Sequence, residues 1–347
     1  MSMADIKKIG ILTGGGDCPG LNAVIRAVVF KAGEYGWEVL GFRYGWKGVI
    51  DVDYVPLKRL DVKDILPLGG TILKTSRTNP YKVDGGPEMV IENAKKLGID
   101  CLVAVGGEDT LGVANKLTKA GLRCVGVPKT IDNDLGATDY TFGYQTAVQI
   151  ATDALDRLHT TARSHDRVLV CEVMGRHAGW MTTDAGMASS VHWIFIPEIK
   201  GSVEDCCIML RERYHMGHNY GLIAVAEGAE FTDLDVKGAP HATDAFGHVK
   251  LGGVAETLAH EIERRTGFET RHVVLGHTQR GGSPTAYDRV LATRLGYKAV
   301  ELIRDGKFAM MSSLRGENIE AVPIDEAVKT LKTVPDDYFE VARTFFG

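Results

Sequence analysis

Residues 101–134 read CLVAVGGEDTLGVANKLTKAGLRCVGVPKTIDND. The runs Cys101–Val105 and Cys124–Val127 are apolar at successive positions, as expected of strands covered on both faces. Between them, Asp109–Ala120 has the spacing of an amphipathic helix. A hairpin cannot close a parallel strand pair, so two strands joined through a helix read as parallel neighbours. The stretch is a β–α–β unit, and each of its strands runs into a turn carrying acids: GGEDT at 106–110 and PKTIDND at 128–134.

The same alternation extends outward. Strand-like runs fall at Lys8–Thr13, Glu38–Phe42, Val168–Val173, Trp193–Ile196, Leu222–Ala226 and Val273–Leu275. Helical patterns fall at Gly20–Tyr35, Gly86–Leu97, Gly143–Ala162, Val203–His215, Gly253–Arg265 and Thr285–Asp305. This predicts a doubly wound α/β protein. At 347 residues the chain exceeds one average domain, so two are expected. The division is expected near Gly143, with the chain crossing back later. Asp233–Phe246 combines Gly, Asp and Pro with a weak pattern and reads as a surface insertion.

Composition narrows the classes. The net charge of −5 argues against a nucleic-acid or anionic-membrane binder, though not against a small anion in a locally basic pocket. Six cysteines (18, 101, 124, 171, 206 and 207) form no CxxC pair and read as reduced thiols of a cytoplasmic protein. The polar start MSMADIKK predicts no secretory leader. No apolar run approaches the ~20 residues that span a bilayer.

Three turns carry the chemistry. Thr13-Gly14-Gly15-Gly16-Asp17-Cys18-Pro19-Gly20 joins a strand to a helix, and its exposed N–H groups with the helix dipole favour a phosphate. Pro19 suits a first helical turn. The turn is neither a P-loop nor GxGxxG. In Gly106-Gly107-Glu108-Asp109-Thr110, acids beside a phosphate site call for a hard cation such as Mg²⁺, although Asp109 could simply cap a helix. In Pro128-Lys129-Thr130-Ile131-Asp132-Asn133-Asp134, an extended segment would point Thr130, Asp132 and Asp134 the same way. A carboxylate there can take a proton from a substrate hydroxyl while Thr130 and Lys129 hold a transferring phosphoryl group. Arg77, Arg167, Arg176, Arg271 and Arg280 read as loop residues, and guanidinium forks suit phosphate oxygens.

Taken together and in order, GGDCPGLN, GGT–SR, GGEDT, PKTIDND, MGRHAGW and LGHTQRGGSP closely resemble the phosphofructokinases, from Lys8 to about Asp305. The resemblance implies two Rossmann-like lobes with the active site in the cleft between them. A phosphoryl-donor lobe would comprise 1–143 and about 279–330, and a fructose 6-phosphate lobe 144–278 and about 331–347. It further implies phosphoryl transfer to the 1-hydroxyl of fructose 6-phosphate. Asp132 matches the proton acceptor, Thr130 its phosphoryl-stabilising neighbour and Asp134 a supporting acid. Glu108 stands where a magnesium-coordinating acid, usually Asp, is expected. Gly15, Gly16, Arg77, Asp109, Thr110 and Lys129 fall among donor contacts. Arg167, Met174, Gly175, Arg176, Glu227, Arg271, His277 and Arg280 match the sugar-phosphate pocket. Arg280 and Arg271 would grip the 6-phosphate. In the family Arg167 and Arg271 look like contributions from a neighbouring subunit, which implies self-association.

ATP-using bacterial members resemble GGDGS and PGTIDND, with glycine where this chain has Asp109 and Lys129. The pyrophosphate-using branch looks like Asp and Lys at these positions. A carboxylate in place of glycine adds bulk and like charge against an α-phosphate, and Lys129 restores the local charge balance. Pyrophosphate is therefore the expected donor; the alternatives are an ATP-dependent phosphofructokinase and, more remotely, a catalytically silent sugar-phosphate sensor. At the effector-pocket positions of allosteric relatives the chain keeps Arg26 and Arg59 but has Phe30, His159, His192, Met216 and His218. Effector control is accordingly not expected.

Overall fold

The computed structural model describes residues 6–235 and 252–347. In chain order the elements are β1 (Lys8–Thr13), α1 (Leu21–Glu34), β2 (Glu38–Phe42), α2 (Trp46–Asp51), β3 (Tyr54–Leu57), α3 (Arg59–Val62), α4 (Gly86–Lys96), β4 (Cys101–Gly106), α5 (Glu108–Lys119), β5 (Cys124–Pro128) and α6 (Tyr144–Ser164). They continue with β6 (Val168–Val173), α7 (Trp180–Ala188), β7 (Trp193–Phe195), α8 (Val203–His215), β8 (Gly221–Ala226), α9 (Val254–Thr266), β9 (Thr270–Val274), α10 (Ala286–Arg304), β10 (Met310–Arg315), β11 (Asn318–Pro323), α11 (Ile324–Lys329) and α12 (Asp336–Arg343).

Two compact units emerge. The first comprises Met1–Ile131, Leu135–Thr146 and Arg280–Leu331. Its seven-stranded sheet has the order β11-β10-β5-β4-β1-β2-β3. β11 and β3 run antiparallel to their neighbours, and the five strands between them are parallel. Every residue of β4 and β5 is buried, which explains their unbroken apolar runs. Helix α5 buries Leu111, Ala114 and Leu117 on one face, each such leucine contributing about 1.5–3 kcal/mol of burial. Strand order reverses between β1 and β4, and at such switch points α/β sheets place ligands beyond the strand C-termini. The glycine-rich turns leaving β1 and β4 lie there.

The second unit comprises Asp132–Asp134, Ala147–Gln279 and Lys332–Gly347. Its four strands, in the order β7-β8-β6-β9, are all parallel. β6 and β8 are wholly buried between layers that include Cys206, Leu210, Leu258 and Ile262.

Several sequence expectations need correcting. The β10–β11 hairpin was not expected: Ser312 and Ser313 interrupt its apolar pattern, yet both are fully buried. Strand β3 and helices α2, α3, α7, α11 and α12 also lacked a sufficient pattern. β9 begins at Thr270 rather than Val273, so Arg271 is a strand residue and not a loop residue; as the sheet edge, β9 tolerates polar side chains on its open side. Pro19 lies outside the first turn of α1, whose N-cap is Gly20. Gly107, not Asp109, is the N-cap of α5. The segment after Lys129 is not extended, because the chain bends at Ile131–Asp132 and Asn133 takes a left-handed φ of 52°. The extended backbone on which a common orientation of residues 130, 132 and 134 was expected is therefore absent. The expected insertion at Asp233–Phe246 lies, from residue 236 on, outside the described residues.

Candidate active site

In the first unit three turns are laced together. The amide of Gly14 donates to the Val105 carbonyl at 2.9 Å, that of Gly15 to Ser76 at 3.1 Å, and that of Lys129 to Gly106 at 3.0 Å. Thr75 Oγ1 donates to the Gly15 carbonyl at 2.6 Å. Arg77 follows Ser76 directly in this lacing. Thr110 is buried against the first turn; a Cβ on Gly14 would come within 2.5 Å of its Oγ1, so only glycine fits there. The Lys129 side chain is buried, and its ammonium donates to the Gly16 carbonyl. A Cβ on Gly15 would lie 3.4 Å from that nitrogen. Lys129 thus occupies space over the glycine turn, where a positive charge attracts phosphate oxygens.

Glu108 and Asp109 form the first turn of α5, where the helix dipole stabilises carboxylates. Glu108 is exposed and Asp109 partly buried. Among the described residues no cluster of three metal-ligating side chains occurs. Mg²⁺ needs none, since it takes one or two carboxylates together with phosphate oxygens and waters, so an exposed Glu108 at the head of α5 suits it. Arg280 is buried in this same unit: its Nη1 donates to the Asp17 carbonyl at 3.4 Å and would meet a Gly16 Cβ at 2.7 Å. The Cys18 thiol beneath this turn is pushed far up by burial and is unreactive.

The second unit carries a cavity of about 260 Å³ beyond the C-termini of β6, β8 and β9. Glu172, Met174, Glu227, Gly252, Gly253 and His277 are among its lining residues. Glu227 Oε1 accepts from the amides of Arg176 at 2.9 Å and Gly175 at 3.3 Å. Burial pushes the Glu227 carboxyl up, those two amides oppose the shift, and the charges of Asp132 and Glu172 add to it. Arg176 holds a left-handed φ of 53°, a costly conformation for a non-glycine residue and one typical of functional turns. Asp132 is buried and Asp134 partly so, the latter's carbonyl accepting from Lys332 N at 2.9 Å. The Met174 amide donates to Gln279 Oε1 at 3.3 Å.

Residues 8–303 match the phosphofructokinase family model. The chain belongs to the phosphofructokinase family. It is 57% identical over 341 residues to a pyrophosphate--fructose 6-phosphate 1-phosphotransferase of Amycolatopsis methanolica, covering 98% of this chain and 100% of that one. It is 50% identical over 341 residues to the ATP-dependent 6-phosphofructokinase 3 of Streptomyces coelicolor, covering 97% and 99%. Among solved structures, the pyrophosphate-dependent phosphofructokinase of Nitrosospira multiformis superimposes with a TM-score of 0.84 at 21% identity, covering 98% of this chain and 91% of that one, a likeness of fold.

Within this phosphofructokinase the expected residues sort unevenly. Gly15, Gly16, Glu108, Asp109, Thr110 and Lys129 gather at one switch point, and Met174, Gly175, Arg176, Glu227 and His277 at the strand ends of the second unit. Arg280 falls with Gly16 in the first unit. Arg167 and Arg271 stand apart: Arg167 precedes β6 and Arg271 opens β9, at the opposite end of the sheet from Glu227. The six residues of β6 separate the two ends by roughly 20 Å. Both arginines pair with Glu269 Oε1, at 2.9 and 2.7 Å. Sequence reading passed over Glu172 and Gln279, buried polar residues hidden inside an apolar strand and a loop motif.

Proposed function

We propose that the chain is a pyrophosphate-dependent 6-phosphofructokinase, transferring a phosphoryl group reversibly from pyrophosphate to the 1-hydroxyl of fructose 6-phosphate. The observation that carries this reading is Lys129, buried with its ammonium over Gly15 and Gly16. Where ATP would place an α-phosphate and nucleoside, this side chain and the Asp109 carboxylate leave less room and reshape the charge. As the sugar oxygen attacks the nearer phosphorus, Asp132 accepts its proton and phosphate leaves. Thr130 and Lys129 hold the transferring group, and Arg77 and the glycine-turn amides hold the rest of the donor. Glu108 would hold Mg²⁺, which when bound would supply charge neutralisation on the donor oxygens. Glu227, Arg176, Met174, Gly175 and His277 orient the sugar, while Asp134 supports Asp132. The unit containing β1–β5 acts on the donor and the unit containing β6–β9 on the sugar.

Arg167 and Arg271 serve the 6-phosphate of a neighbouring subunit, because their own unit's sugar cavity lies at the other strand ends. The enzyme is accordingly a homo-oligomer. Six buried, unpaired cysteines support a reducing, cytoplasmic setting. No helix among the described residues is long and apolar enough to cross a membrane. Arg26 and Arg59 stack on Phe30, at 4.5 and 5.2 Å from its ring, which supports a packing role for them, and effector titrations are expected to leave activity unchanged.

The donor assignment is tested by replacing Asp109 and Lys129 together with glycine. The expected result is at least a tenfold fall in kcat/KM for pyrophosphate, about the loss of one charged hydrogen bond. Equal pyrophosphate kinetics in parent and double variant would remove the assignment.

A further inference from the structure

We propose that Glu172 is a positioning residue for sugar binding, clamping the N-terminus of α9 and the Gly252–Gly253 turn into the wall of the cavity. Glu172 is buried near the end of β6, two residues before Met174. Its Oε2 accepts from the amides of Gly253 at 3.1 Å and Ala255 at 3.0 Å, satisfying donors that the start of a helix leaves without intrahelical partners. Gly253, the N-cap of α9, offers no side chain for this task. The acid is thus supplied from a neighbouring strand, and its negative charge also suits the helix dipole.

The clamp reaches the cavity directly. Glu172, Gly252 and Gly253 all line it, and a Cβ on Gly252 would lie 3.4 Å from Glu172 Oε1. With φ values of 133° and 84°, Gly252 and Gly253 hold conformations that other residues rarely adopt. The main chain of Glu172 does the same on the opposite side, its carbonyl accepting from Leu275 N at 3.1 Å. One residue therefore ties together β6, the start of α9 and the segment leading to His277. The groups around Glu227 are the Gly175 and Arg176 amides with Asp132 and Glu172, and His277 shares the cavity. The charge of Glu172 is one reason the Glu227 carboxyl is pushed up.

The proposal rests on the cavity being the fructose 6-phosphate pocket, and its test separates the two ideas. In Glu172→Ala, exchange of the Gly253 and Ala255 amides should quicken tenfold or more, a result independent of substrate. The KM for fructose 6-phosphate should rise roughly tenfold while that for pyrophosphate stays within about twofold, the loss expected when charged hydrogen bonds are removed from one wall only. Glu172→Gln keeps the shape and one acceptor, so its KM should rise less. Its acid limb of kcat/KM for fructose 6-phosphate should move to lower pH, because Glu227 loses a like charge nearby. Unchanged amide exchange in the alanine variant would overturn the clamp. So would equal rises in both KM values. A parent enzyme that does not turn over fructose 6-phosphate would defeat the substrate reading, and the exchange result would still decide the clamp.

Discussion

Asp132 and Lys129 sit three positions apart in one turn and do different work. Asp132 is buried, and its charge helps push up the carboxyl of Glu227 in the same unit, so it lies on the Glu227 side of the turn. Replacing it with asparagine preserves size and removes proton acceptance. Turnover should fall by about 10²–10⁴ with KM values little changed. Undiminished turnover would show that another group takes the proton. At this scale the sequence was informative because the chemistry needs particular side chains in a particular order, and PKTIDND states them. It was less informative about direction. Which way each side chain points depends on the bend at Asp132 and the left-handed Asn133, neither of which an acid-rich turn announces.

Elements were legible where burial is complete on both faces and obscure where it is not. β4, β5, β6 and β8 are wholly buried and read directly as apolar runs. β9 is an edge strand with Arg271 and His272 exposed, and β10 carries serines in its interior, so neither has a clean period. The edge of the second sheet also hides a titrating group. His192, just before β7, is buried against His159 and Tyr220, with ring centroids 5.6 and 5.2 Å away. Its Nδ1 accepts from Leu222 N at 2.9 Å, a bond that needs the neutral ring. Burial lowers its pKa from 6.5 to about 3, with Arg213, His159 and His218 adding to the effect. A lowered folded-state pKa means the unfolded chain binds the proton first. Stability from this group is therefore present above pH 6.5 and lost as pH falls toward 3. Between pH 6.5 and 5 the loss should be about 2 kcal/mol, at about 1.4 kcal/mol per pH unit. Urea denaturation at both pH values checks this; His192→Gln should lose measurably less stability over that interval.

A second element-scale test concerns the start of α6. Asp288, near the start of α10, is buried and accepts from the amides of Gly143 at 2.9 Å and Thr146 at 2.8 Å and from Thr146 Oγ1 at 2.5 Å. Alanine there leaves three donors without that acceptor. Unfolding stability should drop by about 2–4 kcal/mol, measured by denaturant titration with an unchanged slope.

For the whole molecule, the alternation of strand and helix predicted a doubly wound protein, but periodicity alone did not say that Arg167 and Arg271 lie some six strand residues from the cavity lined by Glu227. Their separation makes a sharp prediction about assembly. Asp132→Asn and Arg271→Ala should each be nearly inactive alone. Subunits unfolded and refolded together should recover part of the activity, because a mixed pair contains one site with both residues intact. No recovery on mixing would mean that each chain completes its own site.

The central claim concerns the donor, and it rests on two side chains standing where ATP-using relatives resemble glycine. The most direct measurement is the initial rate of fructose 1,6-bisphosphate formation from fructose 6-phosphate and Mg²⁺, with pyrophosphate and ATP as donors side by side. A kcat/KM for pyrophosphate at least 10²-fold above that for ATP is predicted, a difference of about 2.7 kcal/mol. Equal or faster turnover with ATP would contradict the account.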